Sequence, residues 1–303
     1  MSDTVGCSNK WSICLTPSGL YFIDSNEKSI YLFNGKLSNL STTAGMYTWC
    51  KQNIPDPEVQ WTPVEFNNFI TYYDRVNQDV LFVNKDIALA WSEHLGTFTS
   101  FYNYGGAPYF VLLKDRAMWL TNSLVNSSYK VNLWEHNTGN YCKFFGVKHP
   151  YSITILGNPE TPFDKIFTNL EFRAEVSEDG IESHNGQFTP FTPFDYLETW
   201  NSYQHGKIGL TNSTYQLSTN VNSQELLDRS FRIWRCEIPR DNVNNSNAAV
   251  KQWEVQHGIF RVKGHPMDRM RNPWLYLKLE KTPSITEEMN KTEIHDIVMT
   301  YYI

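Results

Sequence analysis

The sequence contains no Cys-x-x-Cys pair, and its five cysteines (Cys7, Cys14, Cys50, Cys142, Cys236) are odd in number and widely spaced. This argues against a disulfide framework and a zinc site, and fits small buried thiols in a reducing compartment. No apolar run approaches the length of a membrane-spanning helix, and the opening MSDTVGCSNK lacks the apolar core of a signal peptide. Contact with a membrane interior is therefore not expected. Gly-x-Gly-x-x-Gly, phosphate-loop, His-Glu-x-x-His and Gly-x-Ser-x-Gly motifs are all missing. The eight histidines show no metal-ligand spacing. These gaps leave no basis for assigning a cofactor, a metal or a catalytic residue, and the chain is expected not to be an enzyme.

Charge is scarce as well, at 19% of residues, against about a quarter in ordinary domains. The net charge of -6 is unevenly spread. Between Asp228 and Lys281 eleven basic residues face six acidic ones, a net of +5, so the rest of the chain carries -11. An acidic total argues against bulk or sequence-specific nucleic-acid binding. Aromatics are plentiful, at 15% of a chain that is 41% apolar. Tyr, Phe, Trp, Thr, Asn and Ser dominate, and these are strand and turn formers. The fold class expected is all-β.

One short stretch, AWSEHLGTF (residues 90–98), places Ser92, Glu93 and His94 side by side. These are the residue types of a hydrolase triad, but neighbours on a strand point to opposite faces, so the pair cannot easily meet. A second stretch, LWEHNTGNY, carries Glu135 and His136 and has no serine at the matching place. Glu135 lies 42 residues after Glu93, and each copy continues into a glycine (Gly96, Gly139) and then an aromatic. Upstream, ITYYDRVNQDVLFV with Asp74 matches YFVLLKDRAMWL with Asp115, and GLYFIDSNEKSIYLFNGKLSNL with Asp24 forms a weaker third copy that ends in an Asn34-Gly35 turn. A period of about 40 to 50 residues with several short strands per unit is the sign of propeller-type repeats. Residues 1–149 are therefore expected to form blade-like repeats, with Asp24, Asp74, Asp115, Glu93, His94, Glu135 and His136 at the repeated turns, bonded to turn backbone or to the next blade. Three units cannot close a propeller, so either later segments complete the ring or the chain is part of a longer one.

From residue 150 the pattern changes to longer strands, and residues 150–303 are expected to form an antiparallel β-sandwich-like region or atypical blades. Ile166, Thr168, Leu170, Phe172 and Ala174 are expected on one face of a strand, with Phe167, Asn169, Glu171, Arg173 and Glu175 on the other. RSFRIWRCEIPRD and GIFRVKG read as strands, NVNNSNAAV as a loop, and no long helix is expected. Arg232, Trp234, Arg235, Arg269, Arg271 and Trp274 alternate arginine with tryptophan, the pattern of interface anchors, with cation-π stacking inside the fold as the alternative. Ten tryptophans would also suit sugar-stacking platforms, although in a β-rich chain most tryptophans are core or interface residues.

The ordered series NKWSI, PSGLYFIDSNEKSIYLFNGKLSNLS, ITYYDRVNQDVLF, LGTFTSFYNYGG, FDKIFTNLEFRAE, ETWNSYQHGK, FRIWRCEIPRD, RMRNPWLYLKL and HDIVMTYY resembles the C-terminal part of the tail stabilisation, or muzzle, proteins of crAss-like bacteriophages. The resemblance covers nearly the whole chain. It implies a structural protein of the virion tail, assembled in the cytoplasm of the host bacterium. Such a protein sits at the distal end of a short tail, in the muzzle or nozzle through which DNA and ejected proteins leave. The partners it implies are further copies of the chain, forming a homo-oligomer, and other tail proteins such as ring and tail-fibre proteins. No catalytic residue is carried over from the family. A glycan-binding β-protein at the tail tip, recognising the host surface, is the alternative.

Overall fold

Short apolar runs separated by Asp-, Asn- and Gly-rich turns fold as antiparallel meanders, because each turn is too short for anything but a hairpin. The computed structural model describes residues 4–57, 68–103, 109–113, 116–125, 128–177, 192–211, 224–230, 232–244, 246–261, 268–282 and 291–303. The chain divides into two compact units, Met1–Gly139 with Phe144–Val147, and Asn140–Lys143 with Lys148–Ile303.

The first unit carries three separate sheets in chain order. The first runs β1 (Ile13–Thr16), β2 (Gly19–Asp24), β3 (Ser29–Phe33), β4 (Leu37–Asn39), followed by two short helices, α1 (Leu40–Thr43) and α2 (Tyr47–Asn53). The second runs β5 (Ile70–Asp74), β6 (Asp79–Val83), β7 (Ala88–Ser92), β8 (Thr97–Tyr102). The third pairs β9 (Tyr109–Leu113), β10 (Arg116–Val125) and β11 (Ser128–Glu135). A two-residue pair, β12 (Lys143–Phe144) and β13 (Val147–Lys148), lies where the chain passes between units. Among the described residues no sheet closes on itself.

Turn chemistry explains the hairpins. Asp24 Oδ1 accepts the backbone N–H groups of Asn26 (2.9 Å) and Glu27 (3.0 Å), and Lys28 closes the loop at φ +49°. Asp74 Oδ1 does the same for Val76 (2.9 Å) and Asn77 (3.4 Å), with Gln78 at φ +58°. These bonds give the backbone partners inside the turn and offset the cost of a left-handed non-glycine residue. Gly35 at φ +92° occupies the expected Asn34-Gly35 turn.

The second sheet is apolar on both faces, which is why DVLFV and ALAWS read as unbroken apolar runs. Val80, Phe82, Leu89 and Trp91 pack with Tyr21, Ile23 and Ile30 of the first sheet. Leu81, Val83, Ala88 and Ala90, with Ile70 and Tyr72, pack with Ala117 and Trp119 of the third. The small Ala88 and Ala90 leave room for the fully buried Trp119, which meets Tyr72 edge-on at 5.8 Å. Each such large side chain contributes about 1.5–3 kcal/mol on burial.

In the second unit two sheets enclose one core. The first has the order β14 (Tyr151–Gly157), β22 (Leu275–Lys281), β16 (Tyr196–Trp200), β17 (His205–Thr211), β18 (Gln224–Leu226). The second has the order β19 (Asp228–Ser230), β20 (Ile233–Glu237), β15 (Lys165–Ser177), β21 (Arg271–Asn272), with β23 (Lys291–Tyr302) also on β15. Leu197, Ile208, Leu275, Leu277 and Leu279 meet Phe167, Leu170, Phe172, Ala174 and Trp234 between them.

Four local expectations differ from the fold. The register of β15 against β23 shifts between Phe167 and Asn169, and this irregularity puts Phe167 into the core together with Leu170, Phe172 and Ala174 instead of on the opposite face. RSFRIWRCEIPRD is not one strand but the hairpin β19–β20. The stretch that overlaps the expected 242–250 loop is a nine-residue helix, α3 (Ala248–Gln256), whose N-cap Asn247 accepts the backbone N–H of Ala249 at 2.9 Å. GIFRVKG forms no strand over its described residues, 258–261.

Candidate functional site

The polar residues singled out by the repeat hold sheet to sheet in the first unit. Glu93 follows β7, and its carboxylate accepts the hydroxyl of Thr16 at the end of β1 (2.5 Å). The phenols of Tyr21 on β2 and Tyr73 on β5 also feel its charge. Burial first, and the Glu93 carboxylate after it, pushes both phenols above their ordinary value, so they remain donors. One carboxylate therefore joins the first sheet to the second. Asp74 joins the second to the third: its carboxylate oxygens accept Asn137 Nδ2 at 3.1 and 3.0 Å, and His136 Nε2 lies 4.0 Å away. His136 is buried and stacked on Trp119 at 4.9 Å. Burial holds its imidazole below the ordinary 6.5, with the charge of Asp74 pulling the other way.

The Ser92-Glu93-His94 triplet does not converge. Ser92 is buried with its hydroxyl on Asp79, Glu93 faces the first sheet, and His94 is exposed. Glu135, the last residue of β11, meets Arg116 at 3.5 Å and has, among the described residues, no counterpart of the Glu93 bond to Thr16. The matched spacing of Glu93 and Glu135 thus does not mark equivalent places. Nor does that of Asp24 and Asp74: Asp24 ends the second strand of its sheet and Asp74 the first strand of its own. The residue that mirrors Asp24 is Asn84, after β6, whose Oδ1 accepts Asp86 and Ile87 N–H at 2.9 Å each. Asp115 lies outside the described residues.

The arginines and tryptophans of the second unit separate into three groups. Trp234 is only 2% exposed, with its Nε1–H on Ala174 O (3.1 Å), so it belongs to the core and cannot anchor a partner. Arg235 pairs with Glu171 (2.9 Å) and Arg232 with Glu175 (2.8 Å) across the outer face of the β19–β20–β15 sheet. Arg269 and Arg271 are exposed, their backbone held by Gln204 (Nε2 to Arg269 O, 2.9 Å; Oε1 from Arg271 N, 2.7 Å). Trp274 is half-buried, edge-on to Tyr276 at 5.4 Å. Glu175, Glu293 and His295 place ligand atoms within 4.8 Å of one another, but Arg232 and Lys291 already neutralise the two carboxylates.

The densest polar cluster was not foreseen from sequence. His205, at the start of β17, is buried with Nδ1 at 3.0 Å from Glu254 and Nε2 at 2.9 Å from Glu198. Arg261 binds Glu254 (2.8 Å) and Asp241 (3.1 Å), and Asp241 also accepts the His205 backbone N–H (3.1 Å). Trp253 stacks on His205 at 4.6 Å and on His257 at 3.9 Å. Burial raises Glu198, but the His205 hydrogen bond, Lys207 and Lys278 outweigh it and hold the carboxyl below its usual value. Burial raises Asp241 despite its bonds to His205 and Arg261. The cluster fixes α3 against β16 and β17. It contains acid–base groups but no nucleophile, and its partners satisfy one another.

A family model described as Crassvirus muzzle protein matches residues 1–123, and one described as Crassvirus muzzle protein C-terminal domain matches residues 139–241. A relative named muzzle protein, from Bacteroides phage crAss001, is 38% identical over all 303 residues. The chain spans 19% of that relative's length.

Proposed function

The chain belongs to the muzzle protein family of crAss-like phages, and on that premise we propose that it is a structural component of the virion. In this reading it lies in the distal tail assembly around the exit path for DNA and ejected proteins. One observation carries it: the conspicuous polar groups of the first unit, Glu93, Asp74 and His136, bind sheet to sheet rather than converge on a cavity. That is the use of polar residues expected of a scaffold. We read the three stacked meanders as an arc of propeller-like blades and the two-sheet unit as a sandwich. The partners are further copies of the chain and other tail proteins, ring and tail-fibre proteins among them. Arg232, Arg235, Arg269, Arg271 and Trp274 are the contact residues of the second unit, and Trp234 is withdrawn from that set. A net charge of -6 suits a wall past which DNA must slide without sticking. The protein reaches the tail by assembly in the host cytoplasm. Cryo-electron microscopy of purified particles tests this, with density for the chain as a symmetric ring at the distal tail expected. Absence of the protein from purified particles overturns it.

A second reading, glycan recognition at the tail tip, is favoured by one observation. Trp274 and Tyr276, both half-buried, meet edge-on at 5.4 Å on the second unit, with Tyr276 stacked on the buried Trp200 at 5.2 Å. Binding to host-surface polysaccharide on a glycan array, lost in Trp274→Ala, would favour this reading over the first.

A further inference from the structure

Directly opposed residues of an antiparallel sheet share a face, so the register of each sheet lists its two surfaces. In the second sheet one surface holds the rows Tyr73–Val80–Trp91–Phe98 and Thr71–Phe82–Leu89–Phe101. This surface receives Tyr21, Ile23 and Ile30 of the first sheet. The other surface holds Tyr72–Leu81–Ala90 and Ile70–Val83–Ala88 and is inserted onto Ala117 and Trp119 of the third sheet. Strand order, turn position and register make Ala117 and Trp119 the counterparts of Val80 and Phe82: each pair begins one residue after the turn that joins the first two strands of its sheet. The stack therefore repeats one step twice, with an inserting face laid on a receiving face.

Both ends of the stack present the matching halves of that step. The receiving face of the first sheet consists of the rows Leu15–Leu20–Phe33–Leu37 and Ile13–Phe22–Tyr31–Asn39. Seven of these eight side chains are apolar, and Phe22 stacks on Tyr31 at 5.5 Å. None of the eight belongs to either inter-sheet core; Phe22 and Tyr31 in the middle of the face are buried, while Leu15 and Phe33 in the other row are 76% and 48% exposed. The inserting face of the third sheet carries Met118, Leu120, Leu133 and Val131, with Leu133 and Val131 55% and 62% exposed, and is edged by the Arg116–Glu135 ion pair, Glu135 standing opposite Met118. Exposed apolar surface of this kind, arranged in rows on a regular sheet, marks an interaction site.

We infer that the outer face of the first sheet is the docking surface for the third sheet of a second copy of this chain. The occupant is a copy because the chain itself carries the complementary face, in the register that is already used twice inside it. The joint is head-to-tail, so it propagates into a ring or a filament and does not stop at a two-fold dimer. It deepens the assembly reading above and rests on it only for the expectation that copies meet.

The test is sedimentation velocity of the full chain over a concentration series, with Leu15→Asp and Leu133→Asp as variants. Both side chains are exposed, so unchanged circular dichroism and melting temperature serve as the control for folding. Self-association of the parent is expected, weakened about 100-fold in either variant, since a charge placed within an apolar joint is left desolvated. An equimolar mixture of the two variants is expected to form a dimer and nothing larger, because each retains one intact half. Loss of association in Leu15→Asp but not in Leu133→Asp overturns the inference in favour of two first sheets pairing face to face. A parent that stays monomeric at every concentration overturns it in favour of a sheet from elsewhere in the assembled protein. Oligomers that ignore both substitutions overturn the surface while leaving the assembly reading intact.

Discussion

At the residue scale, two side chains carry connections that no neighbour can replace. Glu93 accepts the Thr16 hydroxyl, and its charge also acts on the phenols of Tyr21 and Tyr73, so it engages three strands of two sheets. Glu93→Gln keeps the shape but replaces charge-assisted acceptance with a neutral amide that has only one acceptor oxygen. It is expected to cost about 1–3 kcal/mol in chemical denaturation. His94→Ala, at an exposed position, is expected to stay within about 0.5 kcal/mol of the parent. Equal losses in the two variants would remove the inter-sheet role assigned to Glu93. His205 is the second such residue. Its removal leaves Glu198 and Glu254 facing each other across a buried gap, with Arg261, Lys207 and Lys278 as neutralising groups. His205→Ala is expected to destabilise the second unit by about 3–5 kcal/mol, read from the urea midpoint. Glu254→Gln should recover part of that loss in the double variant, because one of the two opposed charges is then gone.

At the element scale, the second sheet makes the sharpest demand on side-chain size, being packed on both faces. Phe82→Ala removes a fully buried ring on the first-sheet side and is expected to cost about 3–5 kcal/mol. Ala90→Leu forces extra volume against Trp119 on the other side and is expected to cost about 1–3 kcal/mol. Thermal denaturation of the two variants checks both, and tolerance of Ala90→Leu would mean that this face is not closely packed. The same sheet marks how much of the fold was legible. Alternation, apolar runs and the Asp and Asn-Gly turns were enough to place most strands and to separate a meander region from the rest. The phase of the repeat was not legible. Asp24 and Asp74 sit in identical turn chemistry, and that chemistry depends on the loop, not on which strand of a sheet the loop follows. The irregularity at Thr168 was invisible for a similar reason: it changes pairing with β23, more than 120 residues away, and leaves the local alternation unmarked. Helix α3 had its Asn247 cap in plain view, but its buried positions include Glu254, which breaks the apolar stripe by which a helix is read. Glu254 is buried because it meets His205 and Arg261, and no local pattern announces an ion cluster of five residues drawn from three separate stretches of the chain.

At the scale of the whole molecule, two units with separate cores respond to acid through different groups, and this gives a prediction with a definite order. In the first unit, His136 is buried with its pKa held below the ordinary 6.5, so the folded chain keeps it neutral while the unfolded chain protonates it. The unfolded state then binds more protons, and the stability of this unit is full above about pH 6.5 and falls as pH drops below it. In the second unit, Glu198 is held below its ordinary 4.5, so its contribution is present above about pH 4.5 and is lost as pH falls through the folded value. Asp241 works in the opposite sense, because its raised folded pKa favours the protonated form, and it softens the acid loss of the second unit further. The first unit should therefore weaken at a higher pH than the second. Hydrogen exchange resolved by peptide mass spectrometry separates them: β6 and β7 report the first core, β15 and β20 the second. Between pH 7 and 5 protection is expected to fall in β6 and β7 while β15 and β20 hold, and His136→Gln should flatten that fall without changing the second unit. Simultaneous loss in both sets of strands, or an unchanged slope in His136→Gln, would show that the acid response is not set by these groups.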